Sequence, residues 1–346
     1  MEEYYMQHKY IGKTGLRVSP ICMGTMTFGT QCNKKEAFAI MDKAYDHGVN
    51  FYDTAELYPV PPDGKLAGIT EEWVGEWMQT KPRDSIILAT KVAGAANGWF
   101  VPPIRHGLTA IDRFHIERAV EGSLKRLKTD YIDLYQMHWP DTIVPIEESL
   151  EAFDRLVKAG KVRYMGTSND TAYGTSKALM TSQYKGLARF ESIQNNFSLL
   201  NRRFLDELST LCQNEQISLL PYSPLGGGVL SGKYNQGLKP EDAEGRFATY
   251  LKSPNQRQRL MAQRFMNDKT LASTQKYLKI AADANLHPVT LATAWSKQFD
   301  FVASTIIGAT HTDQLDASLA AMNLTLSDEV LRACNKVHEE ILYPMG

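Results

Sequence analysis

The chain has 346 residues, 43% of them hydrophobic, and a formal net charge of −1. That balance is too apolar for a disordered class and too neutral to leave the basic footprint of a nucleic-acid binder. With no apolar run of membrane-span length, no signal-peptide core at Met1-Glu2-Glu3-Tyr4-Tyr5 and no Cys-x-x-Cys pair among four cysteines, the expectation is a cytoplasmic protein with neither a membrane partner nor a metal centre.

Residues 7–15 read as a small hairpin turning at Gly12-Lys13-Thr14-Gly15, suited to plug one end of a barrel. Strand-like and helix-like segments then alternate. A strand at 17–24 precedes a helix at 34–47, where Ala37, Phe38, Ile40, Met41, Ala44 and Tyr45 share one side and Gly48 is the stop. Strand 49–53 ends on Asp53 and leads to a helix at 71–79. Strand 85–91 ends on Lys91, and helix 113–128 follows with Ile116, Ala119, Val120, Leu124 and Leu127 at helical spacing. Strand 131–137 runs into His138, and helix 146–159 starts after Pro145 and stops at Gly160. Strands at 162–166, 191–195, 217–222 and 302–307 alternate with helices at 173–184, 203–214, 270–285 and 312–322. A helix with an extended end occupies 323–346. Eight strands, each followed by a helix, argue for the α/β class: a parallel sheet closed as a (β/α)8 TIM barrel, one domain over 1–346. An open doubly wound sheet fits less well, because no Gly-x-Gly-x-x-Gly turn follows the first strand. Three long insertions, at 55–70, 92–111 and 224–269, are where function is expected to sit.

Four residues stand at or just past the ends of strand-like runs: Asp53, Tyr58, Lys91 and His138. In a parallel barrel such ends converge on one mouth. A phenol beside an ammonium, held by a carboxylate and faced by an imidazole, is a proton-donating site for a carbonyl oxygen. A free phenol has a pKa of about 10, and a neighbouring ammonium favours the phenolate and lowers that value. Asp53 keeps Lys91 charged, and His138 can bond the substrate oxygen. A plain Lys91–Asp53 salt bridge would still place a cation near the phenol. Ser168-Asn169 suits a carboxamide and equally a turn. Gly226-Gly227-Gly228 lets backbone N–H groups approach a diphosphate, or is only a flexible insertion. Lys233 is either a ligand cation or a solvated lysine. Phe28, Trp99, Phe100 and Trp139 are candidates for an aromatic wall around a small carbonyl or alcohol substrate.

The segments Gly48-Val49-Asn50-Phe51-Tyr52-Asp53-Thr54-Ala55, Ala89-Thr90-Lys91, Leu134-Tyr135-Gln136-Met137-His138-Trp139, Gly166-Thr167-Ser168-Asn169 and Pro221-Tyr222-Ser223-Pro224-Leu225-Gly226 jointly resemble the aldo-keto reductase superfamily. Tyr58-Pro59-Val60-Pro61-Pro62, with Gly24-Thr25-Met26-Thr27-Phe28-Gly29, is most similar to its bacterial Tas-type reductases, whose relatives include voltage-gated potassium-channel β subunits. The resemblance implies a (β/α)8 barrel that binds NADP(H) without a Rossmann fold and reduces aldehydes or ketones reversibly. It puts Asp53, Tyr58, Lys91 and His138 on a catalytic tetrad with Tyr58 as the acid. It implies cofactor contacts from Gly24, Thr25 and Met26, a nicotinamide carboxamide held by Ser168, Asn169 and Gln194, and Tyr222 stacked on the ring. Ser223, Leu225, Gly227 and Lys233 would lie on a loop over the pyrophosphate, with Gly308, Thr310, Gln314 and Ser318 at the adenosine end. Many family members carry Arg where Gln314 stands and Glu-Asn where Ala317-Ser318 stands. Arg246 is the candidate replacement, and NAD(H) stays open beside NADP(H). A monomer or loose homo-oligomer is expected. Two alternatives remain: a nucleotide-binding regulatory module with slow turnover, and an aldolase-type barrel with Lys91 as Schiff-base lysine, against which Asp53 argues by keeping Lys91 protonated.

Overall fold

Eight short parallel strands make the centre of the molecule, and each is apolar on both faces because helices cover one side and the barrel interior the other. In chain order a two-stranded hairpin, β1 (Lys9–Tyr10) and β2 (Arg17–Val18), comes first. The barrel strands follow: β3 (Ile21–Gly24), β4 (Phe51–Asp53), β5 (Ile87–Val92), β6 (Ile132–Met137), β7 (Val162–Ser168), β8 (Phe190–Gln194), β9 (Ser218–Leu219) and β10 (Thr305–Ile307). They pair in the order β10-β3-β4-β5-β6-β7-β8-β9, all parallel. A parallel bridge between Leu219 and Val302, with the Leu219 N–H donating to Phe301 O at 2.7 Å and the Ile306 N–H to Pro221 O at 2.8 Å, joins β9 to β10 and closes the barrel. The computed structural model describes residues 7–94, 109–237 and 239–345; the candidates Trp99 and Phe100 lie outside them.

Helices α1 (Lys34–Asp46), α2 (Ile69–Met78), α3 (Arg113–Leu127), α4 (Ile146–Lys158), α5 (Ala172–Lys185) and α6 (Leu208–Glu215) alternate with the strands. Between β9 and β10 lie α7 (Arg246–Leu251), α8 (Gln256–Phe265), α9 (Asp268–Asp283) and α10 (Pro288–Lys297); α11 (Leu315–Leu319) and α12 (Asp328–Glu340) come last. Three of these, α7, α8 and α10, depart from the sequence reading. The insertion expected as loop at 224–269 holds α7 and α8, tied together by Phe247 stacked on Phe265 at 4.7 Å. Helix α10 was not expected, since it is buried from Val289 to Ser296 and so shows no amphipathic period. Its start is nonetheless standard, with His287 accepting from the Val289 N–H and Pro288 at the first position.

The strand expected at 17–24 is divided at Ser19-Pro20. Its first half belongs to the hairpin, where Lys9 pairs with Val18. The hairpin plugs the barrel base as anticipated. Ile11 and Val18 pack among Cys22, Phe51, Ala89, Leu134 and Leu220, which point inward from the strands. Polar contacts seat it: the Gly12 N–H donates to Ser218 Oγ at 2.9 Å and the Lys13 N–H to Glu191 Oε2 at 2.9 Å.

Strand register decides what meets at the other end. Asp53 lies opposite Gly24 and Ala89, Lys91 opposite Gln136, and Ser168 opposite Gln194. Behind this end α2 packs tightly on α3. A Cβ on Gly75 would sit 2.3 Å from the Arg126 carbonyl oxygen. Alanine is the better helix former by about 0.8–1.0 kcal/mol, but backbone cannot give way and overpacking costs about 1–3 kcal/mol. Gly75→Ala is therefore expected to lose up to about 2 kcal/mol in urea unfolding despite the gain in helix propensity. A more stable variant would show that the two helices can separate at no cost.

Candidate active site

Asp53 ends β4 almost fully buried, and three donors converge on its carboxylate. Lys91 Nζ donates to Oδ1 at 2.5 Å, while Gln194 Nε2 and Gln136 Nε2 donate to Oδ2 at 2.9 and 3.1 Å. Lys91, 0% exposed, also donates to Thr54 O at 2.8 Å and to Tyr58 Oη at 3.4 Å. Burial works against the Lys91 ammonium, but Asp53 and Tyr58 outweigh it and hold its pKa above the ordinary lysine value. Gln136 and the Thr54 carbonyl, though inside the quoted segments, were given no role in the sequence reading. A polar residue in the middle of the apolar run Asp133-Leu134-Tyr135-Gln136-Met137 was the signal available for the first.

Tyr58 lies in the loop after β4, beside two cis peptide bonds at Tyr58-Pro59 and Val60-Pro61. Its ring packs with Ala55, Leu57, Ala93, Met26 and Trp139. The sequence reading expected Lys91 to lower the phenol pKa. Lys91 does act in that direction, but burial is the larger effect and the Asp53 charge adds to it, so the net shift is upward. The phenol is therefore fully protonated at neutral pH. The His138 ring stands edge-on to the Tyr58 ring at 5.8 Å and stacks on Trp139 at 3.9 Å. Burial first, and Lys91 second, push the imidazole pKa well below the usual value, so it is neutral. Its Nδ1 is buried without a partner among the described residues, which leaves Nε2 as the ring nitrogen with access to the mouth.

The next group is continuous with the first. Asn169, at a left-handed φ of 55°, donates from Nδ2 to His138 O at 2.9 Å and to Ser168 Oγ at 3.1 Å. Tyr222 Oη donates to Asn169 Oδ1 at 2.7 Å, and Ser168 Oγ to Gln194 O at 2.8 Å. Burial pushes the Tyr222 phenol up to about 12. Gln194 commits its amide nitrogen to Asp53 and Gln136, so only its Oε1 is left for a ligand. Thr25 caps the β4 end through two bonds to Asp53 O. Gly24 permits β3 to approach β10, since a Cβ there would meet Ile307 O at 2.9 Å.

Ser223 and Leu225 lead into a turn in which Gly226, Gly227 and Gly228 all have positive φ. Two cations lie against it. A Cβ on Gly227 would fall 3.1 Å from Arg246 Nη2, and one on Gly228 would fall 3.2 Å from Lys233 Nζ. Burial and the Arg246 charge lower the Lys233 pKa, and burial lowers that of Arg246, whose Nε is buried without a partner among the described residues. Neither forms an ion pair with a carboxylate among the described residues. Arg246 also lines a cavity of about 680 Å³ with Thr30, Gln31, Pro61 and Tyr250. Gln31 and Tyr250 were absent from the sequence reading, and nothing in their spacing marked them. Thr310 and Gln314 bond each other, the Thr310 N–H donating to Gln314 Oε1 at 3.0 Å, beside an open Gly308. Ser318 is buried in α11. Phe28 is a correction: it is 0% exposed in the layer between barrel and helices, so it offers no surface to a substrate. Among the described residues no helix is long and apolar enough to cross a membrane, and no group of three or more His, Cys, Asp or Glu could hold a metal ion.

The model of the aldo/keto reductase family matches residues 20–339. The chain is 37% identical to protein tas of Escherichia coli, covering 98% of this chain and 99% of that protein. It is 32% identical to norsolorinic acid reductase B of Aspergillus parasiticus, covering 94% and 82%. It is 33% identical to a probable voltage-gated potassium channel subunit beta of Arabidopsis thaliana, covering 92% of each.

The neutral His138 gives a pH signature. Its folded-state pKa lies below the unfolded value of about 6.5, so the unfolded chain binds the proton first. That contribution to stability is complete above about pH 6.5 and is lost as pH falls, by at most about 1.4 kcal/mol per pH unit. Between about pH 7 and about pH 5, urea unfolding of the wild type should lose stability that His138→Gln retains. Parallel losses in both proteins would show that the imidazole is not held neutral.

Proposed function

The chain belongs to the aldo/keto reductase family, and we propose that it reduces aldehydes or ketones to alcohols with NADPH, Tyr58 supplying the proton. The observation that carries this reading is the buried chain from Asp53 through Lys91 to the protonated Tyr58, with the open nitrogen of a neutral His138 beside it. The chain's relatives support an oxidoreductase in general terms. The raised Lys91 pKa and its ion pair speak against a Schiff-base role, which needs a neutral amine.

The residues also fit a phosphorylated dinucleotide. Two desolvated cations with no carboxylate at ion-pair distance among the described residues, over a turn of three glycines, suit a cradle for phosphate oxygens. With their donors committed inside the protein, Asn169 Oδ1 and Ser168 Oγ keep lone pairs that could accept from a carboxamide N–H, and Tyr222 adds a half-buried ring. Arg246 and Lys233 would hold phosphates, whereas the neutral Gln314 is bonded to Thr310. When bound, reduced nicotinamide supplies the hydride that adds to the carbonyl carbon. As charge builds on the carbonyl oxygen, Tyr58 passes its proton there, and His138 bonds the same oxygen through Nε2–H. Lys91 stabilises the phenolate left behind, and Asp53 keeps Lys91 charged and aimed. In oxidation the phenolate takes the proton back. The stack of Trp139 on His138 makes Trp139 the described candidate for an aromatic wall.

The likeness to a potassium channel subunit beta favours a second reading, a nucleotide-binding module with slow turnover. Turnover of a panel of small aldehydes separates the two.

Two outcomes are expected. Tyr58→Phe should keep the packing and NADPH binding while losing about 10²–10⁴-fold in carbonyl reduction. Wild-type turnover in that variant would remove Tyr58 from its role. NADPH should quench tryptophan fluorescence at lower concentration than NADH, and Arg246→Ala should shrink the gap. Equal affinity for the two in the wild type would mean that no residue here reads the extra phosphate.

A further inference from the structure

The loop that carries Tyr58 is fastened to the strand that carries Lys91 by three successive rungs. The Thr54 N–H donates to Ala89 O at 2.9 Å and the Glu56 N–H to Lys91 O at 3.1 Å, which continues the β4–β5 ladder past its end. The third rung is a side chain: the Ala93 N–H donates to Glu56 Oε2 at 2.9 Å. There the backbone can no longer pair, because it turns back for Tyr58, whose N–H donates to Ala55 O at 3.1 Å. Ala93 is pinned from behind as well. His115 Nε2 donates to Ala93 O at 2.5 Å and lies 3.7 Å from Glu56 Oε2. The Lys91–Tyr58 contact that this frame supports is only 3.4 Å, long enough that a shift of a few tenths of an ångström would break it.

We infer that Glu56 is a positioning residue for the proton donor, its carboxylate standing in for a missing strand carbonyl and so setting where Tyr58 rests against Lys91. This rests on the reading of Tyr58 as the acid. The groups facing Glu56 are His115, Arg118 and Arg126 from α3, Glu71 from α2 and Tyr135 from β6. Burial, opposed by the Ala93 N–H and reinforced by Glu71, pushes the Glu56 carboxyl up to about 7. An ionised carboxylate accepts more strongly than a protonated one. The rung therefore tightens as pH rises through neutrality, whereas His138 titrates well below that range.

The test uses the full chain, NADPH and benzaldehyde. Glu56→Ala removes the acceptor and should lower kcat about 10- to 100-fold while KM and NADPH affinity stay within about twofold. Glu56→Gln keeps an acceptor oxygen of the same reach and should recover most of kcat. The wild-type kcat/KM should rise through an inflection near pH 7, and Glu56→Gln should flatten it. If Glu56→Ala does not fold, the pH profile of Glu56→Gln decides alone. In a Tyr58→Phe background, Glu56→Ala should cost nothing further. An active Tyr58→Phe would overturn the acid assignment. An inactive Tyr58→Phe beside a Glu56→Gln with the wild-type inflection, or a folded Glu56→Ala with wild-type kcat, would overturn the positioning role alone.

Discussion

The rest of the site depends on one ion pair held away from water. Asp53 and Lys91 lie 2.5 Å apart, with side chains 3% and 0% exposed. Desolvating two such charges costs several kcal/mol per ion, and the pair is tolerable only when the remaining lone pairs and protons are satisfied. Here they are. Gln136 and Gln194 take the second carboxylate oxygen, the Thr54 carbonyl takes a second ammonium proton, and Tyr58 faces the third. These groups arrive from four strands or strand ends, β4, β5, β6 and β8, so barrel closure and correct register are conditions for a stable pair. The plugged base serves the same end, since the hairpin keeps water from the lower side of the barrel.

The charge pattern changes towards the long insertion. Around Asp53 every charge has its counter-charge within hydrogen-bonding reach. Around the Gly226–Gly228 turn two cations sit together, and among the described residues neither has a carboxylate at ion-pair distance, Glu244 acting on Lys233 only from farther away. Repulsion between desolvated cations is unfavourable in the free protein, and it is relieved by a bound anion. The two regions thus divide the work. One is a closed network that sets protonation states, and the other is an open one to which the proposed dinucleotide would bring the missing partner. The Phe247–Phe265 stack holds α7 against α8 and so fixes the origin of Arg246, the first residue of α7.

The same network explains why the Tyr58 phenol is raised although an ammonium is beside it. The carboxylate that keeps Lys91 charged also screens it, and burial penalises any phenolate. Such a group is a reservoir that is always filled at neutral pH. In the reaction we propose, its proton is released only when a stronger base develops on the substrate. Lys91 then acts on the product of that transfer rather than on the resting acid. Geometry, more than resting acidity, becomes the sensitive variable, and the rung from Glu56 to Ala93 bears on geometry.

The sequence by itself determined the class of fold, the alternation of strands and helices, and the strand ends that carry Asp53, Lys91 and His138. Period and punctuation report which face of an element meets the core, and they act locally, so they are readable residue by residue. It also marked the plugging hairpin and the Ser168-Asn169 and glycine-rich turns. It did not mark α10, because a helix buried all round has no polar face to make a period. Nor did it mark α7 and α8, which are short and gain their stability from contacts with one another. The bonds from Gln136 and Gln194 to Asp53, the direction of the Tyr58 shift and the bond from the Ala93 N–H to Glu56 were decided only by tertiary structure. Each depends on side chains distant in sequence meeting at a distance set by register and closure, and on how much water that meeting excludes. Neither quantity is a property of any one segment.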